Sequence, residues 1–280
     1  LAWYLFALLA ALFYAAQMLG FRHLQRSYPI PVYMAYIWLG AGALIGLFFI
    51  RSGEGLTTPN VVLILVAAAG SWSGMYAVNR AIRLQPNLGY VDAVGTLRLG
   101  LIYILSIALF NASFDPFRLA ALAGIATGVI LIVGVRQEGP QGTSNRRWVI
   151  WQLLAVMCFT LLFTCVRIAT LRGVDTQVVT SLVMLFAGMF YVLSAIYQRQ
   201  SLRPSRDLPT ILLTIASSTI GNAAFFISLA NAPNMAYTDA IVNLRLIILY
   251  VVALVMGVDR PDMTKVLGVV ITFGCAALLG

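Results

Sequence analysis

Ten apolar runs, each about 17–24 residues long, divide this chain, and a helix of that length crosses a hydrocarbon core roughly 30 Å thick. They lie near 1–21, 31–50, 60–83, 89–110, 118–135, 148–172, 176–197, 209–231, 236–257 and 264–280. In lipid the backbone must satisfy its own amides, so runs of this kind fold as helices. Hydrophobic residues make up 61% of the chain and charged ones 10%, with a mean hydropathy of +0.93. Soluble domains carry about 45–50% apolar and about 25% charged residues, so neither a water-facing surface nor a disordered chain fits. We read an all-α polytopic membrane protein, expected in a bacterial inner (plasma) membrane. The chain opens on an apolar run with no charged n-region or cleavage site, so no signal peptide is expected.

The connections are short and carry turn chemistry, as in Tyr28-Pro29-Ile30-Pro31, Gln85-Pro86-Asn87, Asp115-Pro116 and Asp259-Arg260-Pro261-Asp262. The longest polar stretch, 136–147, falls at the midpoint and reads as a linker between a first five-helix repeat, 1–135, and a second, 148–280. The two halves are copies. Laying 86–103 on 233–250, an offset of 147, matches nine of eighteen positions, among them Pro86/Pro233, Asn87/Asn234, Tyr90/Tyr237, Asp92/Asp239, Arg98/Arg245 and Tyr103/Tyr250. Shared lipid-facing composition explains coincident leucines but not coincident Pro, Asn, Asp, Arg and Tyr. The same offset pairs Ser71 with Ser218, Gly74 with Gly221 and Ala77 with Ala224. Five is odd, so the second copy enters the membrane inverted, and the fold expected is ten transmembrane helices as two inverted five-helix repeats. Inverted repeats characterise secondary transporters, whose site lies near the midplane where the repeats meet.

The net charge of +9 sits between the apolar runs, where lipid headgroups account for it, and no nucleic-acid partner is expected. Cys158, Cys165 and Cys275 all fall inside apolar runs, without a CxxC pair, and the one histidine is His23. Neither a disulfide framework, a metal site nor a cofactor is expected. Gly42-x-x-x-Gly46, Gly70-x-x-x-Gly74 and Gly124-x-x-x-Gly128 read as helix-packing faces. Arg80, Arg83, Arg167 and Arg172 read as snorkelling to the interface.

Depth singles out the functional candidates. With Asn87 capping the fourth span, Asp92 lies about 7.5 Å and Arg98 about 16 Å into it, and Asp239 and Arg245 repeat this in the ninth. An arginine near the bilayer centre costs about 2.5–3.5 kcal/mol on insertion scales, so it faces the bundle interior and has a partner. Asp92, Thr96, Leu99 and Tyr103 share one helix face, repeated as Asp239, Asn243, Leu246 and Tyr250. Such a polar-aromatic stripe suits a cavity wall. Candidate substrate contacts are therefore Arg98, Arg245, Thr96, Asn243, Tyr103, Tyr250, Asn79 and Asn222, with Asp92 and Asp239 as gating or ion-coupling residues. Trp3, Gln17, Gln152 and Thr164 stand behind them. Competing readings are that the Asp pair complements helix dipoles, that the Arg pair is permanently bridged, and that the Tyr pair belongs to an interfacial belt.

Ten helices in a five-plus-five inverted repeat, short loops and a Pro-containing turn closing the third-to-fourth hairpin resemble the EamA-like branch of the drug/metabolite transporter superfamily. The resemblance covers the whole chain. It implies a basket of helices one, three, four, six, eight and nine around a central cavity, and export of amino acids and related metabolites or exchange of nucleotide sugars and sugar phosphates. It also implies that helices four and nine are neighbours, which puts Asp92–Arg245 and Asp239–Arg98 within reach as two cross-repeat bridges, breaking and forming in alternation. Orientation divides the two lines of reasoning. Loops after odd-numbered spans hold twelve Arg and Lys against three after even-numbered ones, which puts both termini outside; the resemblance implies termini inside.

The expected function is secondary transport, by alternating access, of a small carboxylated or zwitterionic, amino-acid-like solute, in the export direction that the resemblance suggests. The midplane arginines would hold the carboxylate, and the Asp pair is available for proton coupling. A monomer suffices and a homodimer is compatible. The rivals are a nucleotide-sugar or sugar-phosphate exchanger, a multidrug-type exporter, and, more remotely, a channel or an intramembrane enzyme. Against an enzyme stand the lone loop histidine and the absence of an HExxH or GxSG motif.

Overall fold

The computed structural model describes residues 2–50, 55–84, 94–95, 97–133, 147–202, 207–255 and 262–279. These form eleven helices and no strand: α1 (Trp3–Ser27), α2 (Ile30–Phe49), α3 (Thr58–Leu84), α4 (Leu97–Phe110), α5 (Pro116–Val133), α6 (Arg147–Leu171), α7 (Thr176–Tyr197), α8 (Leu208–Asn231), α9 (Met235–Val242), α10 (Arg245–Val255) and α11 (Met263–Ala277). Seven spans are long and apolar enough to cross a membrane, counting Met235–Val252 as one; α4, α5 and α11 are shorter apolar helices. Each of the ten apolar runs thus carries helix. Asp92, Thr96, the Pro86-Asn87 turn and all of the expected linker but Arg147 lie outside the described residues.

Local chemistry sets the helix ends. Tyr28 precedes Pro29 and is extended (φ −129°, ψ 147°), since a residue before proline avoids the helical region; α1 stops there and Pro29 starts α2. The end of α6 closes in a Schellman turn: Gly173 takes φ +86°, its N–H reaches Thr170 O (3.1 Å), and Val174 N–H reaches Ala169 O (3.2 Å). Asp175 then caps α7 by accepting from Gln177 N (2.7 Å) and Val178 N (3.2 Å). Asn234 caps α9 through Ala236 N at 2.9 Å, the role its Pro-Asn setting suggests.

The chain forms two compact units. One comprises 1–73 and 161–231, the other 74–160 and 232–280, so each draws on both sequence halves. In the first unit α1 packs along α8 and α2 along both α7 and α8. The predicted small-residue face works there: Gly42 and Gly46 lie against Met184, Leu185 and Ser181 of α7, and Ser181 Oγ donates to Gly42 O (2.8 Å). In the second unit α4 packs on α9 and α5 on α11. Gly124 faces Cys275, and Gly128 faces Thr272 and the carbonyl of Gly268.

A Tyr–Asp latch occurs in both halves of the second unit. Tyr103 of α4 accepts from Asp115 N (3.0 Å) and donates to Asp115 O (3.1 Å), and the Asp115 carboxylate caps α5 through Phe117 N and Arg118 N. Tyr250 of α10 accepts from Asp262 N (3.5 Å), and Asp262 caps α11 through Thr264 N (2.8 Å). Asp115 and Asp262 are again 147 apart. These hydroxyls, expected in a cavity wall, are held by the turn after their own helix. Tyr103→Phe should therefore lower stability by about 1 kcal/mol, and Tyr250→Phe by less, given its longer contact. Thermal unfolding in detergent checks both.

Candidate functional site

The centre of the second unit is an ion pair. Arg98, on the second residue of α4, donates from Nε to Asp239 Oδ2 (2.8 Å) and from Nη2 to Asp239 Oδ1 (2.6 Å). The Asp239 side chain is 3% exposed and that of Arg98 15%. The guanidinium carbon also lies 5.3 Å from the centroid of the Phe159 ring on α6. Two parallel charge-assisted bonds are the strongest geometry available to a carboxylate, and a ring face adds attraction for the cation. The depth argument expects this bridge. Its symmetric counterpart, Asp92–Arg245, involves a residue outside those described.

Asp239 sits just before an interruption that sequence reading missed. The ninth run is not one continuous helix: α9 ends at Val242, and α10 restarts at Arg245. Across the gap the ladder slips to i→i−3 bonds, Asn243 N to Ala240 O (3.1 Å), Leu244 N to Ile241 O (3.0 Å), Leu246 N to Asn243 O (3.0 Å) and Ile247 N to Leu244 O (3.0 Å). Asn243 is buried at 5% exposure and Arg245, half-buried, opens α10 with a buried Nε that has no hydrogen-bond partner among the described residues. No Gly or Pro marks the break; a buried Asn two residues before an Arg in mid-span is its only sequence signal. Phe159 was missed too, and one phenylalanine in an apolar helix has none.

The other candidates have hydrogen-bond partners of their own. Asn79 of α3, in the second unit, donates to Met75 O (2.8 Å), a bond along its own helix. Asn222 belongs to the first unit, where it accepts from Tyr14 (2.9 Å) and donates to Ser218 O (2.8 Å), while Gln17 donates to Ser218 Oγ (2.8 Å). This network of α1 and α8 is buried and internally bonded, and Tyr14 in it was not foreseen. Two expectations need correction. Arg167 does not snorkel: it donates to the carbonyls of Leu229 (3.1 Å) and Ala230, the unpaired C-terminal end of α8. His23 is not in a loop but on the last turns of α1, 3.6 Å from Asp207. Among the described residues no three His, Cys, Asp or Glu group together in a way that could hold a metal.

Comparison with known proteins bears on the whole assembly. No curated protein matches the sequence. One solved crystal structure superposes with a TM-score of 0.82 over 99% of this chain and 94% of its own, at 18% identity, which speaks to the fold. The model of the EamA-like transporter family matches residues 146–280, the half that contributes Asp239, the broken helix and Arg245. Over that half this integral membrane protein is similar to the EamA-like transporter family of the drug/metabolite transporter superfamily.

Proposed function

We propose that the protein is a secondary transporter of small carboxylated or zwitterionic solutes, working by alternating access, and that Arg98 and Arg245 receive the solute carboxylate. The observation that carries this reading is the buried Arg98–Asp239 pair beside a helix broken in mid-span. Ionisable residues inside a membrane mark transport pathways, and secondary transporters place discontinuous helices around their substrate. The duplicated Tyr–Asp latches support the inverted repeat, since one device recurs at an offset of 147. So does the pairing of the fourth run with the ninth and of the fifth with the tenth, each helix lying against its own repeat copy. In the cycle, a carboxylate arriving at Arg98 substitutes for Asp239, which then takes a proton or meets the ammonium of the solute. Arg245 adds the positive potential that draws the anion in.

The test is uptake into proteoliposomes of labelled amino acids, organic acids and sugar phosphates, with wild type beside Arg98→Ala and Arg245→Ala. Saturable uptake of a carboxylated solute, lost in Arg98→Ala and reduced at least about tenfold in Arg245→Ala, is expected. Uptake that survives both substitutions would confine the arginines to a structural role. Trans-stimulation by sugar phosphates alone would replace the solute class.

A further inference from the structure

Gln152 of α6 belongs to the same unit as the ion pair and is out of place as a packing residue. It is 5% exposed, and its Oε1 is fully buried without a hydrogen-bond partner among the described residues. Its amide lies against Gly95, at the entrance to α4: a Cβ added at Gly95 would stand 2.9 Å from Gln152 Nε2. Which end of the amide carries oxygen is interchangeable, so a polar end faces Gly95 either way. An unpaired buried acceptor is costly, and an apolar residue of similar size would remove the cost. Gln152 and Phe159 share one face of α6, seven residues or about 10.5 Å apart, and Phe159 underlies the Arg98 guanidinium. The amide lies beside Gly95, only three residues before Arg98, so amide and cation belong to one locality.

We propose that Gln152 is a second substrate contact, accepting a hydrogen bond from an N–H of the solute whose carboxylate goes to Arg98. This rests on the transport reading above and narrows it. An α- or β-amino acid carries an N–H and a carboxylate this close together. Gly95 keeps the amide approachable at the entrance to α4, because any side chain there would meet it.

The experiment is uptake of labelled L-leucine, L-threonine and L-phenylalanine into proteoliposomes holding the full chain. Each is competed by its own carboxylic acid lacking the amino group. Wild type is expected to prefer the amino acid by about tenfold or more. Gln152→Leu should lose that preference while still carrying the des-amino acid, and Gln152→Glu, which still accepts an N–H, should keep it. Without solute, Gln152→Leu should melt no lower than wild type, since it removes a buried acceptor without a partner. A preference unchanged in Gln152→Leu overturns the assignment and leaves the transport reading standing. A clear fall in its melting temperature makes the amide structural and overturns it too. A wild type that carries neither member of any pair overturns both.

Discussion

Asp239→Ala should destabilise the protein by about 3–5 kcal/mol, because it removes the carboxylate that neutralises the buried guanidinium of Arg98. The carboxylate it removes is 3% exposed and accepts two short bonds, so water does not take its place. Arg98→Ala should cost a similar amount by orphaning the aspartate. The exchange Arg98→Asp with Asp239→Arg restores opposite charges on α4 and α9 and should recover a substantial part of the loss. It does not restore transport if the arginine is needed on α4, over Phe159, to meet the solute. Thermal unfolding in detergent and uptake, measured on the same four proteins, separate these effects. A double variant no more stable than either single one would sink the pairing as an energetic unit.

Gly128→Val should be the most damaging change on a surface without charges. A Cβ at Gly128 would stand 2.2 Å from Thr272 Oγ1, 2.8 Å from the Gly268 carbonyl and 2.9 Å from Thr272 N. Two of these are backbone atoms, which cannot rotate away, so α5 and α11 must separate. We expect a loss of about 3 kcal/mol, at the upper end of overpacking costs. Gly100, where an added Cβ meets nothing within 4 Å, is the control, and Gly100→Ala should be neutral or slightly stabilising. Melting temperatures of the two variants check this, and equal values would remove the α5–α11 contact from the account.

The sequence disclosed what depends on period and on charge. Apolar run lengths located the helices, the 147-residue offset linked Arg98 with Arg245, and the cost of a mid-span cation demanded a partner that proved to be Asp239. It did not disclose which backbone group a hydroxyl or guanidinium would choose. Tyr103 and Tyr250 turn to their own loops, and Arg167 finds the end of α8, because orphaned carbonyls and amides exist only once helix ends are placed. The interruption at Asn243 was hidden for a related reason. Its residues keep helical composition, and only packing fixes where the ladder slips.

The broken ninth run bears on how the protein is made. Met235–Val252 brings Asp239 and Arg245 into the bilayer together, at about 2.5–3.5 kcal/mol each on insertion scales, against a gain of only about 0.3–0.6 for each aliphatic residue. Arg98 is synthesised 141 residues earlier, so for that length of translation it waits without its carboxylate. The pair closes only when the ninth run arrives. Late delivery of Asp239 then completes two marginal segments at once, and ribosomal pausing or chain truncation before it leaves the earlier charge a signal for quality control.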